Sequence, residues 1–199
     1  MRTLVLFLFV SLNALAQDTI TVVHKAYKTT YDKVKNYPAK VEWWVSKSNL
    51  VCDNKVKRGD KFIPDPKLNK ETNLQEAYTG SGFDELMAQV ANEESFFFSN
   101  MTAQYPALNR GDWKTLEMFT RELALKNDSV KVWCGSVGEV KKIGNVSVPS
   151  QCWKVIYIKK TNEWFAYLFT NSPTKADGIE NNKVSKTDIE RLTKFNFTL

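Results

Sequence analysis

Asn109 has the side chain and the position to meet a cation, because it comes just before a segment with helical periodicity. An amide oxygen at that point can face a metal ion. Glu117 and Arg121 follow inside the predicted helix, and residues four apart are neighbours on a helix surface. The stretch Ser95–Arg121 therefore brings a candidate metal ligand, a carboxylate and a guanidinium into one part of the chain.

Local signals predict the elements that position Asn109. The apolar run at residues 96–98 (FFF) is short enough for a buried strand. Pro106 forces a break, because its ring fixes φ and removes a backbone donor. Residues 109–112 (NRGD) predict a turn with Asp112 as the helix N-cap. The helix that follows has one apolar face, made of residues three or four positions apart: Trp113, Leu116, Phe119 and Leu123.

The order S-N-M-x-x-Q-x-x-x-L-N-R-G-x-W-x-x-L-E-x-x-x-R at residues 99–121 resembles the DNA/RNA non-specific endonucleases of the ββα-metal nuclease superfamily. The resemblance implies an α+β fold with a central antiparallel β-sheet and helices packed on it. It implies that Asn109 holds a divalent metal, that Glu117 supports the metal shell and that Arg121 meets phosphate. Mg²⁺ is then the expected cofactor, and DNA or RNA the expected partner.

Three other segments extend the resemblance. Residues 58–66 have the spacing R-x-x-x-F-x-x-D-P, which resembles a segment of the family. In the family the arginine at the position of Arg58 contacts the substrate phosphate. The alternative is that Arg58 is a solvated charge in a loop. Residues 81–84 (SGFD) match the start of the family motif S-G-[YF]-D-[RK]-G-H, which makes Asp84 a candidate for substrate binding. Residues 148–155 (VPSQCWKV) resemble the far side of the family's sheet.

The chain departs from the family where the general base belongs. Residues 85–87 are Glu-Leu-Met, whereas the family has Arg or Lys, then Gly, then the His that takes a proton from the attacking water. Three glutamates could replace this base only if their pKa values are raised: Glu85, Glu93 and Glu94. The alternative is that these residues form a solvated acidic surface without a catalytic role. His24, the only histidine, belongs to a different predicted strand.

Loss of a positioned general base costs about 100- to 10,000-fold in rate. The resemblance therefore implies an endonuclease-family protein whose phosphodiester hydrolysis is impaired or absent. The alternative is a pseudonuclease without turnover that binds nucleic acid or a protein partner.

The rest of the chain predicts a sheet with short helices. The predicted strands are Ile20–His24, Ala39–Ser46 with Val41, Trp43 and Val45 alternating, Ser129–Cys134, Cys152–Ile158 and Trp164–Thr170. A short helix is predicted over residues 84–92. A second helix is predicted to begin at a capping box made by Ser185 and Asp188 and to run to Lys194. In this second helix, Ile189 and Leu192 are expected to face inward.

Residues 1–16 have one basic residue, an apolar run and a small-residue end, which predicts a signal peptide cleaved before Gln17. Residues 17–199 are then a single nuclease-like domain, secreted or periplasmic, with no later segment apolar enough to span a membrane. A net charge of +6 favours polyanions only weakly.

The chain has three cysteines. Cys134 and Cys152 lie in strands predicted to be antiparallel neighbours, and an exported protein favours a disulfide between them. Cys52 would then be the free thiol. The sequence disfavours a zinc site, because it has no C-x-x-C motif and only one histidine.

Overall fold

The computed structural model describes residues 19–51, 62–68, 77–78, 81, 84–87, 93–174 and 177–199. Within these residues the strands are β1 (Thr19–Val23), β2 (Tyr27–Asp32), β3 (Tyr37–Ser46), β4 (Asp84–Met87), β5 (Met101–Gln104), β6 (Ser129–Val137), β7 (Lys141–Ile143), β8 (Val146–Val148), β9 (Gln151–Ile158), β10 (Glu163–Thr170) and β11 (Lys183–Val184). The α-helices are α1 (Lys47–Leu50), α2 (Pro106–Leu108), α3 (Lys114–Asn127) and α4 (Lys186–Thr193). None of the described helices is both long enough and apolar enough to cross a membrane.

A seven-stranded antiparallel sheet in the order β1-β2-β3-β6-β9-β10-β11 is the framework of the described residues. The expected α+β fold with a central antiparallel sheet is confirmed. Strand β2 was not predicted, although Tyr27, Thr29 and Tyr31 alternate as buried residues along it. That two-residue period was the available signal, but threonine, lysine and aspartate dilute it.

Helix α3 covers one face of the sheet with the predicted apolar side. Trp113 and Leu116 are buried, and Phe119 and Leu123 pack beside them. Burial of each such large apolar side chain contributes about 1.5–3 kcal/mol to folding. The sheet residues that meet this helix include Val41, Trp43, Val130, Val132, Ile156, Tyr167 and Phe169.

Helix α4 and the chain end cover part of the opposite face, where Ile189 and Phe197 pack on Trp133, Trp153 and Tyr157. The capping box at the start of α4 is present as predicted.

Leu192 does not face inward as predicted, because it is 38% exposed. Three residues turn a helix by roughly 300°, so Leu192 is rotated by about 60° from Ile189. On a short helix that rests on the sheet through one side, that rotation brings the leucine to solvent.

A two-stranded ribbon stands beside the main sheet and leads into the helices. Strand β4 pairs antiparallel with β5, with Asp84 opposite Gln104 and Met87 opposite Met101. The helix predicted over residues 84–92 is therefore wrong at 84–87, because long-range pairing overrides the local apolar pattern. Residues 88–92 lie outside the described part of the chain.

The apolar run at residues 96–98 is not a strand either. It lies in two 3₁₀ turns, Glu93–Phe96 and Phe98–Asn100, joined at Phe97, which forms a single bridge to Ile63. Within the turns, the Phe97 N–H donates to Glu94 O and the Asn100 N–H donates to Phe97 O, while Phe96 O and the Phe98 N–H bond to the backbone of Ile63. The turns and the bridge to Ile63 together satisfy these buried backbone groups.

Cys134 and Cys152 are on neighbouring antiparallel strands, as predicted, but both are free thiols in the structure, and the predicted disulfide is not seen. Cys134 pairs with Lys154 and Cys152 with Ser136, which makes the cysteines diagonal neighbours. Diagonal Cα atoms stand roughly 7–8 Å apart. A disulfide needs a Cα separation below about 7 Å. Cys52 lies outside the described residues.

Candidate functional site

Asn109 lies at a break between two helical segments. Tyr105 is extended, Pro106 opens α2 at a position that needs no backbone donor, and the Asn109 N–H donates to Tyr105 O at 3.0 Å. The segment Asn109–Trp113 is wound as a π-helical turn, and Gly111 departs from helical geometry with φ −97° and ψ −111°. The predicted interruption before α3 is therefore present, and it places Asn109, half-buried, at the mouth of that helix.

Asp112 is not the N-cap. The residue that precedes α3 is Trp113, whose backbone is already helical, so no extended cap residue forms there. The Asp112 carboxylate instead accepts the Gly178 N–H at 2.9 Å. This bond ties the loop before the 3₁₀ turn Glu180–Asn182 to the start of α3.

Asn171 anchors the junction that carries Asn109, and no pattern in the sequence predicted this role. The residue is 3% exposed, and its Oδ1 accepts the Tyr105 N–H at 2.9 Å. Its Nδ2 donates to Ala103 O at 3.0 Å and to Pro149 O at 2.9 Å. One side chain therefore holds β5, the start of α2 and the turn before β9 together.

Glu117 lies in the first turn of α3 above a buried lysine. Burial raises the pKa of Glu117, and the charges of Lys154 and Arg121 oppose that rise. Lys154 in β9 is 3% exposed, and its Nζ lies 4.5 Å from the centroid of the Trp113 ring. Burial lowers the pKa of Lys154, and the Glu117 carboxylate opposes that fall. Each group therefore favours the charged form of the other.

The sequence contained a signal for Lys154. It is a single lysine within the buried strand segment Cys152–Ile158, all of whose residues are buried. A charge in such a strand requires compensation by a partner. The partner follows from the fold, because α3 crosses β9 and brings Glu117 and Trp113 to it.

Arg121 follows Glu117 by one turn on α3, so the two are neighbours on that helix as predicted, and Arg121 is exposed. Arg58 lies outside the described residues. The backbones of Asp84 and Glu85 lie in β4, next to the strand that leads to Asn109.

The two remaining substitute bases lie in the turns before β5. Glu93 opens the first 3₁₀ turn. Glu94 is tied to the β1–β2 connection, because its carboxylate accepts the Lys25 N–H at 2.8 Å and its carbonyl accepts the Tyr27 hydroxyl at 2.7 Å.

His24 is a structural residue in a closed polar cluster. It is 5% exposed, and its Nε2 lies 2.9 Å from Asp65 Oδ2, which also accepts the Ser99 hydroxyl. Its ring stacks on Tyr27 at 4.5 Å and tilts against Phe97 at 5.2 Å. The cluster joins the end of β1 to the segments at 62–68 and 93–100.

The side chains that the resemblance assigns to a metal are Asn109 and Glu117, and both carry oxygen donors. Among the described side chains, no three of His, Cys, Asp or Glu gather around one point. A site built on the Asn109 amide oxygen and supported by Glu117 offers oxygen donors only. Mg²⁺ uses one or two protein oxygens and keeps several waters, whereas structural Zn²⁺ sites are built from cysteine and histidine. Asn109 is the residue that the family resemblance assigns to the ion, and its half-buried place before α3 is compatible with that role.

Comparisons with known proteins agree with this architecture. The family model described as DNA/RNA non-specific endonuclease matches residues 11–198. The chain is 27% identical over 207 residues to a nuclease of Nostoc sp.. That alignment covers 92% of this chain and 74% of the Nostoc protein. It is 31% identical over 195 residues to human mitochondrial nuclease EXOG. That alignment covers 82% of this chain and 53% of EXOG, so the chain spans about half the length of EXOG.

A solved structure shows the same fold. A chain from the crystal structure of the EndoG/EndoGI complex superposes on this chain with a TM-score of 0.77. The superposition covers 89% of this chain and 84% of that chain at 23% sequence identity. With residues 11–198 matched by the family model, the chain belongs to the DNA/RNA non-specific endonuclease family.

Proposed function

We propose that this chain binds DNA or RNA at the mouth of α3 and hydrolyses phosphodiester bonds slowly or not at all. One observation carries the proposal: Asn109, Glu117 and Arg121 stand at the start and along the side of one helix, while residues 85–87 in the neighbouring ribbon are Glu-Leu-Met. The only histidine of the chain, His24, is buried against Asp65 and is closed to a substrate.

In-line hydrolysis of a phosphodiester needs a held phosphate, a stabilised leaving oxygen and an activated water. Arg121 supplies the first through charge-assisted hydrogen bonds to phosphate oxygens. Asn109 would hold the divalent ion, with Glu117 orienting its waters, and the bound ion supplies charge stabilisation to the phosphate and leaving oxygens. The proton acceptor for the water is the part that the chain lacks at residues 85–87. We expect the rate to be lower by about 100- to 10,000-fold for that reason.

A pseudonuclease is the second candidate function, and the same substitution at residues 85–87 favours it. In that case the fold binds nucleic acid, or a protein partner, without turnover. Export belongs to both proposals, with residues 1–16 as a signal peptide and residues 17–199 as one secreted or periplasmic domain. Mass spectrometry of exported material should then find Gln17 at the N-terminus, and an intact Met1 would contradict export by this route.

The direct test is cleavage of plasmid DNA and of RNA by the purified protein, with Mg²⁺ and with a chelator, over a range of pH. We expect little or no cleavage at neutral pH. Asn109→Ala is the variant of interest, and Asn196→Ala, an exposed asparagine near the chain end, is its matched control. Strong Mg²⁺-dependent cleavage that Asn109→Ala abolishes would refute the impairment. A rate that rises with pH through a raised carboxylate pKa would then identify Glu85, Glu93 or Glu94 as the base.

A rescue experiment tests the missing base. The triple variant Glu85→Lys, Leu86→Gly, Met87→His restores the family motif in β4, beside the strand that leads to Asn109. We expect cleavage to increase, and to be lost again when Asn109→Ala is added. An increase that survives Asn109→Ala would contradict the role of Asn109 as the metal ligand.

A further inference from the structure

A row of aromatic and basic side chains crosses the face of the sheet that is opposite α3. Trp44 in β3 pairs with Lys131 in β6, Lys131 pairs with Tyr157 in β9, and Tyr157 pairs with Trp164 in β10. Directly paired residues of antiparallel strands project from the same face. The row therefore spans three strand spacings, about 14 Å.

The β3 end of this row is open to solvent. Trp44 is 44% exposed, whereas Tyr157, two strands further along the row, is buried in the cluster that packs with α4. The Lys131 ammonium lies 5.6 Å from the ring centroid of Trp44 and 5.6 Å from that of Trp133. A large indole with a cation beside it thus stands on a rigid strand.

The charge around Trp44 is positive. Glu42 is paired with Lys28 at 2.6 Å and with Lys40 at 3.3 Å. Although burial raises the pKa of Glu42, the charges of Lys28, Lys40 and Lys131 hold it below its ordinary value. Three lysines therefore surround one ionised carboxylate.

The positive charges around Lys131 destabilise its ammonium form. Burial lowers its pKa, and Lys28 and Lys40 lower it further against the opposing effect of Glu42. Glu42 is paired with Lys28 and with Lys40, but one carboxylate cannot offset three lysines, so the patch keeps a net positive charge that favours an external anion.

We propose that the patch formed by Lys28, Lys40, Trp44 and Lys131 binds single-stranded nucleic acid, separately from the site at Asn109. Lysines meet the phosphates, and the exposed indole offers its face to an unpaired base. A duplex keeps its bases stacked on each other, so it cannot use the indole in this way. Because α3 lies on the other face of the sheet, a strand bound at the patch leaves Asn109 accessible. The proposal does not depend on cleavage.

The test is binding of a fluorescein-labelled oligothymidylate of roughly 12 nucleotides, followed by fluorescence anisotropy in a chelator so that no metal contributes. Trp44→Ala should weaken binding on the order of 10- to 100-fold, because one stacked base is lost. Trp44→Phe should retain most of the affinity. A duplex of the same length should bind more weakly than the single strand. Thermal melts of each variant confirm that it is folded.

Charge is tested by the double variant Lys28→Gln, Lys131→Gln. The affinity of a single strand falls with salt with a slope of about −0.7 for each phosphate contact, so this variant should lower the slope by roughly 1.4. The matched control is Lys126→Gln, Lys142→Gln, which removes the same charge from exposed positions on α3 and β7. Equal weakening by the control pair would overturn the proposal, because general charge would then suffice.

If Asn109→Ala with Arg121→Gln abolishes binding and Trp44→Ala does not, the patch is refuted while the α3 site stands. Absence of oligonucleotide binding by the unmodified chain also refutes the patch, and the cleavage assay remains independent of it. If Trp44→Ala changes the molecular mass in size-exclusion chromatography but not oligonucleotide affinity, the patch is a contact between copies and the proposal is wrong.

Discussion

His24 Nε2 lies 2.9 Å from Asp65 Oδ2, and both side chains are withdrawn from solvent. The same carboxylate oxygen accepts the Ser99 hydroxyl, so Asp65 is held from two sides. The only imidazole of the chain therefore joins three segments of the fold, and its side chain is buried among the described residues. A nuclease-family chain has here used its one histidine for structure.

His24→Ala should lower the free energy of unfolding by about 1–3 kcal/mol, because a buried carboxylate loses a hydrogen-bond partner. Urea denaturation measures the change. Thr21→Ala, an exposed position on the same strand, is the control and should stay within about 0.5 kcal/mol of the unmodified protein. Any residual cleavage should persist in folded His24→Ala. Loss of cleavage with unchanged stability would instead make His24 the base.

Glu117 should make stability fall as pH rises. Burial raises its pKa above the ordinary value of 4.5, so the native state binds the proton more tightly than the unfolded state does. Between 4.5 and the raised pKa, the native state carries more protons, and the free energy of unfolding decreases with increasing pH.

Glu117→Gln should remove this decrease, as measured by urea unfolding at a series of acidic to neutral pH values. Glu122→Gln, an exposed glutamate on the same helix, should leave it in place. Retention of the full pH dependence in Glu117→Gln would show that another carboxylate is responsible.

Lys154 and Glu117 should be energetically coupled. A double-mutant cycle with Lys154→Met and Glu117→Gln should give a coupling free energy of about 0.5–3 kcal/mol, because each single change leaves a desolvated charge without its partner. The cycle is measured by denaturant unfolding at neutral pH. Additive effects of the two changes would contradict the coupling.

Trp113→Ala should cost about 3–5 kcal/mol, because the ring is 1% exposed and packs against Phe169 at a centroid distance of 6.0 Å. Met118→Ala on the same helix is the control, since that side chain is 47% exposed. Calorimetry or urea unfolding compares the two. A loss below about 1 kcal/mol for Trp113→Ala would contradict its place in the core.

Cys134 and Cys152 should be thiols that do not react in the native protein. Burial raises the pKa of each to about 12, so almost no thiolate is present at neutral pH. In a Cys52→Ser background, iodoacetamide should label neither cysteine before denaturation and both afterwards, without a reductant. A peptide that links Cys134 to Cys152 would contradict the strand register.

The sequence was sufficient for the elements whose periodic pattern is long and regular. The three- and four-residue spacing of Trp113, Leu116, Phe119 and Leu123 specified the buried side of α3, because a helix repeats every 3.6 residues. The β-branched and aromatic runs of β6, β9 and β10 specified strands, because these side chains pack well on a pleated sheet. The motif at residues 99–121 identified the family, and the comparisons confirm it.

Tertiary structure decided what depends on distant partners. Residues 84–87 are a strand because β5 pairs with them, although their own pattern favoured a helix. The register of β6 against β9 set Cys134 opposite Lys154, which separates the two thiols and buries a lysine under α3. Burial of His24 depends on Asp65, forty-one residues away along the chain. The register of a strand pair and the burial of a side chain by a distant segment depend on the free energy of the whole fold. A short segment of the sequence therefore does not determine them.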